Sequence, residues 1–542
     1  MTHEQAFLQA IIDDPEDDAL RLVYADWLEE RGDPRGDLIH VQSLLAEGAP
    51  GDPHWPPLVR RERELLTRHG PEWVGPLRAL GATRWAFRRG LVEEVTLGSD
   101  AFLRHADALL RLAPVRRLTV RVRRGELGAV LRAPALPRVT VLDLSHGALG
   151  PEGLAALARA PWLGRVPELD LSFSGLGDEG TASLAGAPGL GWVKALRLEG
   201  NQIGPSGVRA LAASPRLQEL MEIDLRGNPL HAEGARALTA ATWPRLGVLG
   251  LGRAELTDSG LAVLPELDRL SRLTALDLRY NHLGDGGAEM LASISRPSLT
   301  ALDVRGNGIG PAGLRALVAS PSLRSVTHLH LDYNPVGDAG LAALAAAPLP
   351  QLTRLGLAAG GVGDAGLAAL ANSPHLGRLT ELDLSDNNIG DSGLVVLAAS
   401  PHAGRLRVLS LGTNALGDEA ARALASLPCL GLQPALDLRF NRIGAAGAAA
   451  LAASPHLAGV QVLDLCENRV GVTGAQALAA SPHLAGLTAL DLRGNAVGDR
   501  GGEALAASPY LAGVEQLDLY RNGIGRQVEA ALRARFGKRV GL

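Results

Sequence analysis

The sequence predicts an α/β solenoid, with a parallel sheet on one side and helices on the other, preceded by a small all-α module. Three observations predict it. A motif of the form L-x-L-x-x-N recurs every 26 or 27 residues. Each recurrence is followed by glycine and an Ala/Leu-rich helical stretch. Aromatic residues make up 3% of the chain and glycine numbers 66, a composition that suits many short stacked units better than one large core.

The repeat is explicit. "LRLEGNQIG" begins at Leu196, "LDLRYNHLG" at Leu276, "LDLSDNNIG" at Leu382 and "LDLRGNAVG" at Leu490. The asparagine slot falls at Gly147, Ser174, Asn201, Asn228, Ala254, Asn281, Asn307, Asn334, Gly360, Asn387, Asn414, Asn441, Asn468, Asn495 and Asn522. After it come an apolar residue, Gly and often Asp, then a helix as in "GDAGLAALAAAP" from Gly337. Asp or Ser at the helix start suits its own N-cap. Pro in "SP" or "AP" ends the helix, because the residue before Pro disfavours the α region. A strand, a turn and a helix of this size cannot bury their own apolar face, so neighbours stack. The expectation is one continuous parallel sheet of at least fifteen strands. The leucines point into its core, and the Asn side chains satisfy turn backbone groups inside the stack.

These residues resemble the leucine-rich repeat family, in its ribonuclease-inhibitor-like class with a full helix per repeat. The resemblance runs from about Val139 to the C-terminus. It implies a leucine-rich repeat horseshoe with the sheet concave and the helices convex. The departures Gly147, Ser174, Ala254 and Gly360 put altered turns there rather than a different fold.

The flanks differ. Residues 1–48 read as three helices, "EQAFLQAII", "DDALRLVYADWLEERGD" starting from Asp13, Asp14 and Pro15 and ending at Gly32, and "RGDLIHVQSLLAE". Tyr24, Ala25, Asp26, Trp27, Leu28, Arg35, Gly36, Asp37 and Gln42 make this segment similar to a helical companion module that precedes repeat arrays in some bacterial proteins. Arg31-Gly32-Asp33 and Arg35-Gly36-Asp37 spell an adhesion tripeptide, which a helix end explains better. Residues 49–90 read as linker, with "GAPGDPHWPP" from Gly48, and connecting helices. Residues 91–138 read as degenerate cap repeats, 139–525 as fifteen repeats, and 526–542 as a capping helix.

Register then places side chains. The residue between the leucines is Asp143, Asp170, Asp224, Asp277, Asp303, Asp383, Asp437, Asp464, Asp491 or Asp518 in ten units. Two residues on stand Arg226, Arg279, Arg305, Arg439 and Arg493. The plain reading is a self-neutralising ladder, worth little per pair at a surface. The functional reading is an alternating-charge face that selects a complementary protein. The next column holds Phe173, Tyr280, Tyr333 and Phe440, with Tyr520 one place earlier; Tyr and Arg are enriched at interface hot spots. In "VTHLHLDYNPVG", His328, His330 and Asp332 share that face. A metal there is geometrically conceivable, but pairing with Asp303 and Arg354 is the stronger expectation, and no metal is expected. The following unit is bare, with Gly356, Ala358 and Ala359.

The net charge of -5 gives no global pull toward nucleic acid. Arg116, Arg117, Arg121, Arg123 and Arg124 form a basic cluster, but no aromatic platform interleaves them, so nucleic acid is a disfavoured partner. Residues 1–99, with 18 acidic and 11 basic side chains, offer that cluster an internal counterpart. Cys429 and Cys466 make no disulfide framework and show no metal-ligand spacing. The N-terminus has no secretory pattern, and no apolar run reaches the ~18 residues of a membrane helix. These features predict a cytoplasmic protein without cofactor.

No nucleophile–base pair or phosphate loop emerges. The sequence therefore predicts a non-enzymatic scaffold. It would bind a protein partner of unknown identity on the concave face, through Arg279, Tyr280, Arg305, His328, His330, Asp332, Tyr333, Arg439, Phe440, Arg493 and Tyr520. Two alternatives are a regulator or inhibitor of a GTPase or nuclease, by fold analogy alone, and a structural spacer.

Overall fold

The computed structural model describes all residues except 1, 48–54, 124, 134, 135, 137, 138, 148, 258, 259, 261, 263–270 and 295–297. Most of the expected linker from Gly48, and Arg124 of the basic cluster, lie outside the described residues. The chain divides into two compact units. The first comprises 1–255 with 266–273, the second 256–265 with 274–542.

The first unit begins with α1 (His3–Asp13), α2 (Asp18–Glu29), α3 (Arg35–Glu47), α4 (Trp55–Trp73) and α5 (Gly75–Ala79). Asp17, not the Asp13–Pro15 stretch, caps α2, accepting the Leu20 N–H. Ile11, Tyr24, Ala25, Leu28 and Ile39 make one small core, and Leu91 of the following hairpin completes it. That hairpin is β1 (Ala82–Arg88) and β2 (Leu91–Gly98), paired antiparallel. Sequence reasoning did not anticipate β1. The remaining strands of this unit are β3 (Arg117–Arg121), β4 (Val141–Asp143), β5 (Glu168–Asp170), β6 (Ala195–Arg197), β7 (Glu222–Asp224) and β8 (Val248–Gly250). From β2 to β8 each pairs parallel with the next.

The second unit carries β9 (Ala275–Asp277), β10 (Ala301–Asp303), β11 (His328–His330), β12 (Arg354–Gly356), β13 (Glu381–Asp383) and β14 (Val408–Ser410). β15 (Ala435–Asp437), β16 (Val462–Asp464), β17 (Ala489–Asp491), β18 (Gln516–Asp518) and β19 (Val540–Gly541) follow. Each repeat strand is three residues long with its central leucine buried, as in Ala301–Asp303. The polypeptide then turns into a helix of eight to ten residues, such as Pro311–Ala319 or Asp418–Ala425, which ends before a Pro-initiated 3-10 turn. The solenoid of parallel strands and helices expected from the sequence is present in each unit. The expectation of a single unbroken sheet is not met: β14 and β15 belong to different sheets. At that step a polar residue, Gln433, fills a slot that is aliphatic in its neighbours.

Two side-chain ladders hold successive repeats together. Asn307 shows the first. Its Nδ2 donates to the carbonyls of Leu278 in the preceding repeat and Val304 in its own, at 3.0 and 2.8 Å, and its Oδ1 accepts the Asn281 N–H at 2.8 Å. A buried asparagine with this many partners is satisfied rather than costly. The second ladder corrects the capping expectation. The Asp at a helix start does not cap its own helix; it caps the next one. Asp338 Oδ1 accepts the N–H groups of Gly363 and Gly366, at 2.6 and 3.0 Å. Asp178, Asp285, Asp391 and Asp418 do the same 26 or so residues on. A carboxylate at the positive end of the following helix is favoured by its dipole as well.

Candidate functional site

The open face of the sheet is built from positions that the leucine core does not dictate. All ten aspartates between the leucines perform one backbone task. Each accepts the N–H two residues on, as in Asp303 to Arg305 at 3.1 Å and Asp518 to Tyr520 at 3.1 Å. The carboxylate closes the strand where the ladder ends, much as an Asx turn does. Its free edge then receives arginine: Arg279 on Asp277 at 2.8 Å, Arg305 on Asp303 at 2.6 Å, Arg439 on Asp437 at 3.2 Å, Arg493 on Asp491 at 2.7 Å. The hydrogen bond to Asp303 holds Arg305 above the usual guanidinium range, and Asp491 does so for Arg493. Each arginine is thus pinned by its own strand, in line with the ladder expected from the sequence.

The ring column has a property the sequence does not announce. The residue before the asparagine slot is left-handed in every repeat, from His146 (φ 58°) and Phe173 (φ 56°) through Tyr280 (φ 56°), Tyr333 (φ 59°) and Phe440 (φ 51°) to Arg521 (φ 59°). Glycine would be unstrained there, and Gly200, Gly227, Gly306 and Gly494 are used at four of these positions. Any other residue costs about 1–2 kcal/mol in this conformation. Two of these glycines also give room to a neighbour's ring. A Cβ on Gly306 would lie 2.3 Å from the Tyr280 ring, and one on Gly200 would meet the Phe173 ring. In the second unit the Tyr280 and Tyr333 rings meet over Gly306, centroids 6.5 Å apart. In the first, His146 stacks on Phe173 at 4.9 Å. Tyr333, Phe440 and Tyr520 remain exposed, Tyr280 half so.

His328, His330 and Asp332 do share this face, but not as a ligand set. His328 Nδ1 lies 2.7 Å from the Thr327 hydroxyl, and burial lowers its pKa. His330 Nδ1 stands 3.8 Å from Asp332. Asp303, the expected partner, is engaged by Arg305, and Arg354 pairs with Glu381 at 2.9 Å. Asp332 is buried and reaches across to the bare repeat, accepting the Ala358 N–H at 2.9 Å. A Cβ on Gly356 would fall 2.5 Å from its carboxylate. The bare repeat is therefore the seat of a neighbour's aspartate. Burial alone would push Asp332 up; the neighbouring His330 imidazole and the hydrogen bond from the Ala358 N–H outweigh it and hold the carboxyl below its ordinary range.

Sequence spacing found no metal-ligand pattern near the cysteines, yet folding brings Cys466 to Asp464 and Asp491, their ligand atoms within 4.8 Å of one another. Cys466 stands where other repeats carry arginine. Burial, with Asp491 and Asp437 beside it, pushes the Asp464 carboxyl up, and burial pushes the Cys466 thiol up to about 11. Among the described residues, Asp26, Glu29 and His40 form the other such group.

The N-terminal helices are anchored by ionic contacts that sequence reasoning missed. Arg21, fully buried, meets the buried Glu93 at 2.8 Å; Arg89 meets the same carboxylate at 3.0 Å and Asp18 at 2.9 Å. Burial pushes Glu93 up and Arg21 down. Arg116 pairs with Glu16, Arg117 with Glu168 and Arg123 with Asp100, so three arginines of the basic cluster are met by acidic groups of their own unit. Gln42 accepts the Gly90 N–H at 2.7 Å and donates to Glu62, pinning the hairpin turn to α3 and α4. Both adhesion-like tripeptides are consumed: Arg35 chelates Asp33 and Glu4, Asp37 holds Arg61, and a Cβ on Gly36 would strike the Ala25 carbonyl. A groove of about 1000 Å³ runs beside α3 and α4, with Leu45, Val59 and Phe87 facing Val141, Ala195 and Met221.

A family model agrees with the repeat pattern. A family model described as Leucine Rich repeat matches residues 137–158, 168–185, 192–212, 271–292, 296–318, 322–345, 379–398, 406–425, 435–452 and 485–506. No curated protein matches the chain. Among solved structures it is similar to an internalin (inlF) from Listeria monocytogenes, 20% identical, covering 66% of this chain and 92% of that one at a TM-score of 0.45. It is also similar to a leucine-rich repeat protein of Leptospira interrogans, 18% identical, covering 70% and 96% at 0.39.

Proposed function

Because the chain carries leucine-rich repeats, we propose that it is a non-enzymatic scaffold that binds a protein partner on the open face of its sheet. We place it in the ribonuclease-inhibitor-like class, since among the described residues helices of eight to ten residues alternate with the strands. The observation that carries the reading is the ring column: exposed tyrosine and phenylalanine occupy left-handed positions where glycine would be unstrained. Strain retained at exposed aromatic positions points to use. The arginines beside them are already ordered by their aspartates, which lowers the entropy lost on docking. Arg279, Tyr280, Arg305, His330, Tyr333, Arg439, Phe440, Arg493 and Tyr520 form the proposed contact set. Among the described residues no helix is long and apolar enough to cross a membrane. The test is capture from the native cell with the full chain as bait. Tyr280→Ala, Tyr333→Ala and Phe440→Ala should each weaken the captured partner by about ten- to hundred-fold. Arg422→Ala, on the helix side, should leave binding intact. Equal binding by all three ring variants would end the reading.

A further inference from the structure

Two residues before its strand, each repeat buries an aliphatic side chain, as Leu379, Leu406, Val460 and Leu487 do. Before β15 the slot holds Gln433, only 1% exposed. Its Oε1 accepts the Leu409 N–H at 3.1 Å, a group that lies in β14. Its Nε2 is buried and has no hydrogen-bond partner among the described residues. A side-chain amide has thus entered the space where β14 and β15 would pair, and the sheet divides there.

The opening is one-sided. At the strand entry, neighbouring steps carry Val408 N–H to Thr380 O at 3.1 Å and Val462 N–H to Pro434 O at 3.0 Å; the described residues show no counterpart from Ala435. At the strand exit Leu411 N–H reaches Asp437 O at 3.4 Å, against 3.0 Å for Leu384 to Ser410 and 2.9 Å for Leu438 to Asp464. Past the strand everything is closed. Thr413 N–H meets Arg439 O at 2.7 Å, Leu416 N–H meets Asn441 Oδ1 at 3.1 Å, and Asp418 caps Gly444 at 2.7 Å. The turn side is a pivot and the entry side a gap. Pro434 lacks an N–H but is not the cause. Pro167 occupies the same place before β5, and there Glu168 still donates to Thr140 O and β4 pairs with β5.

We propose that the step between β14 and β15 is a flexure built into the second unit, with Gln433 as its wedge. It lets the segment bearing Phe440 and Arg439 tilt against the segment bearing Tyr280 and Tyr333 about the turn column. The inference does not depend on the docking reading. Hydrogen-exchange mass spectrometry on the full chain tests it, since exchange reports local opening. Amides of 408–411 and 435–437 should exchange about tenfold faster than those of β13 and β16, and Gln433→Leu should bring them down to the neighbours' rate. Equal protection in the wild-type chain overturns the proposal. So does fast exchange that persists in Gln433→Leu, or that Pro434→Thr alone abolishes.

Discussion

Replacing Tyr333 by glycine and, separately, by alanine separates ring packing from backbone strain. Tyr333 is 55% exposed, so of roughly 200 Å² of side chain about 90 Å² is covered. At ~25 cal/mol/Å² that burial contributes about 2 kcal/mol, an upper value because the unfolded chain hides some of it already. Both variants lose this contribution. Alanine keeps a Cβ at φ 59° and retains the left-handed cost of about 1–2 kcal/mol. Glycine sheds that cost but is more flexible when unfolded, worth about 0.5–1 kcal/mol the other way. The balance leaves Tyr333→Gly ahead of Tyr333→Ala by roughly 0.5–1 kcal/mol. Ala343, inside the helix Gly337–Ala346, provides the opposite control. There glycine should fall below alanine by about 1 kcal/mol. Urea unfolding of the full chain, read as the order of midpoints, is the assay. If Tyr333→Ala unfolds at or above the midpoint of Tyr333→Gly, the left-handed column stores no strain, and its rings need no partner to account for them.

Three other outcomes follow from the geometry. Asn307→Ala, which strips hydrogen bonds from two consecutive repeats, should cost about 2–4 kcal/mol in urea unfolding, against under ~0.5 kcal/mol for the exposed Arg422→Ala. Asp332 has its folded pKa depressed below the ordinary 3.8, so its ionised form stabilises the fold above that value and the contribution fades as pH falls through the folded pKa. The gap in midpoint between wild type and Asp332→Ala should therefore be full at pH 7 and shrink below about pH 4; a gap independent of pH would refute the assignment. Zinc titration should give the same result for wild type and a His328→Ala/His330→Ala variant, because those ligands do not converge; a loss of binding confined to that variant would overturn the reading.

The repeat, its period and its columns were legible because stacking imposes one residue type at one slot many times over. Asparagine at fixed spacing marks the ladder and leucine alternation marks the buried side. What stayed hidden is whatever one repeat does for another. Nothing in "GDAG" says that Asp338 caps the next helix rather than its own, since both sites look alike along the chain. Nothing in "LGLAAGGVG" says that Asp332 fills the space over Gly356. Gln433 was legible as polar, but its effect required knowing that the slot is buried and adjoins the strand pairing. The left-handed column was missed because tyrosine and phenylalanine gave no hint of it; the glycines at Gly200, Gly227, Gly306 and Gly494 were the signal available. On the open face, the aspartates' backbone task escaped a reading that considered charge alone. The anchoring of the N-terminal helices depends on Arg21 meeting Glu93 and on Arg89 meeting Asp18, pairs too far apart in sequence for any spacing rule to join them.

The forward reach of the capping aspartates gives the array a polarity. Asp391 completes the helix that starts at Asp418, Asp418 completes the next at Ala445, and Asp499 reaches the closing helix at Gly525. Asparagine runs the other way, Asn441 receiving the N–H of Leu416 one period earlier. Each joint of this kind is thus written half in one period and half in the following one. Excising one whole period between two joints of this kind rejoins two matching halves and leaves no group unmet. Excising any other length strands a cap on one side and an acceptor on the other. Growth and shrinkage of the array are consequently quantised: copy number can drift while the joints themselves stay unchanged.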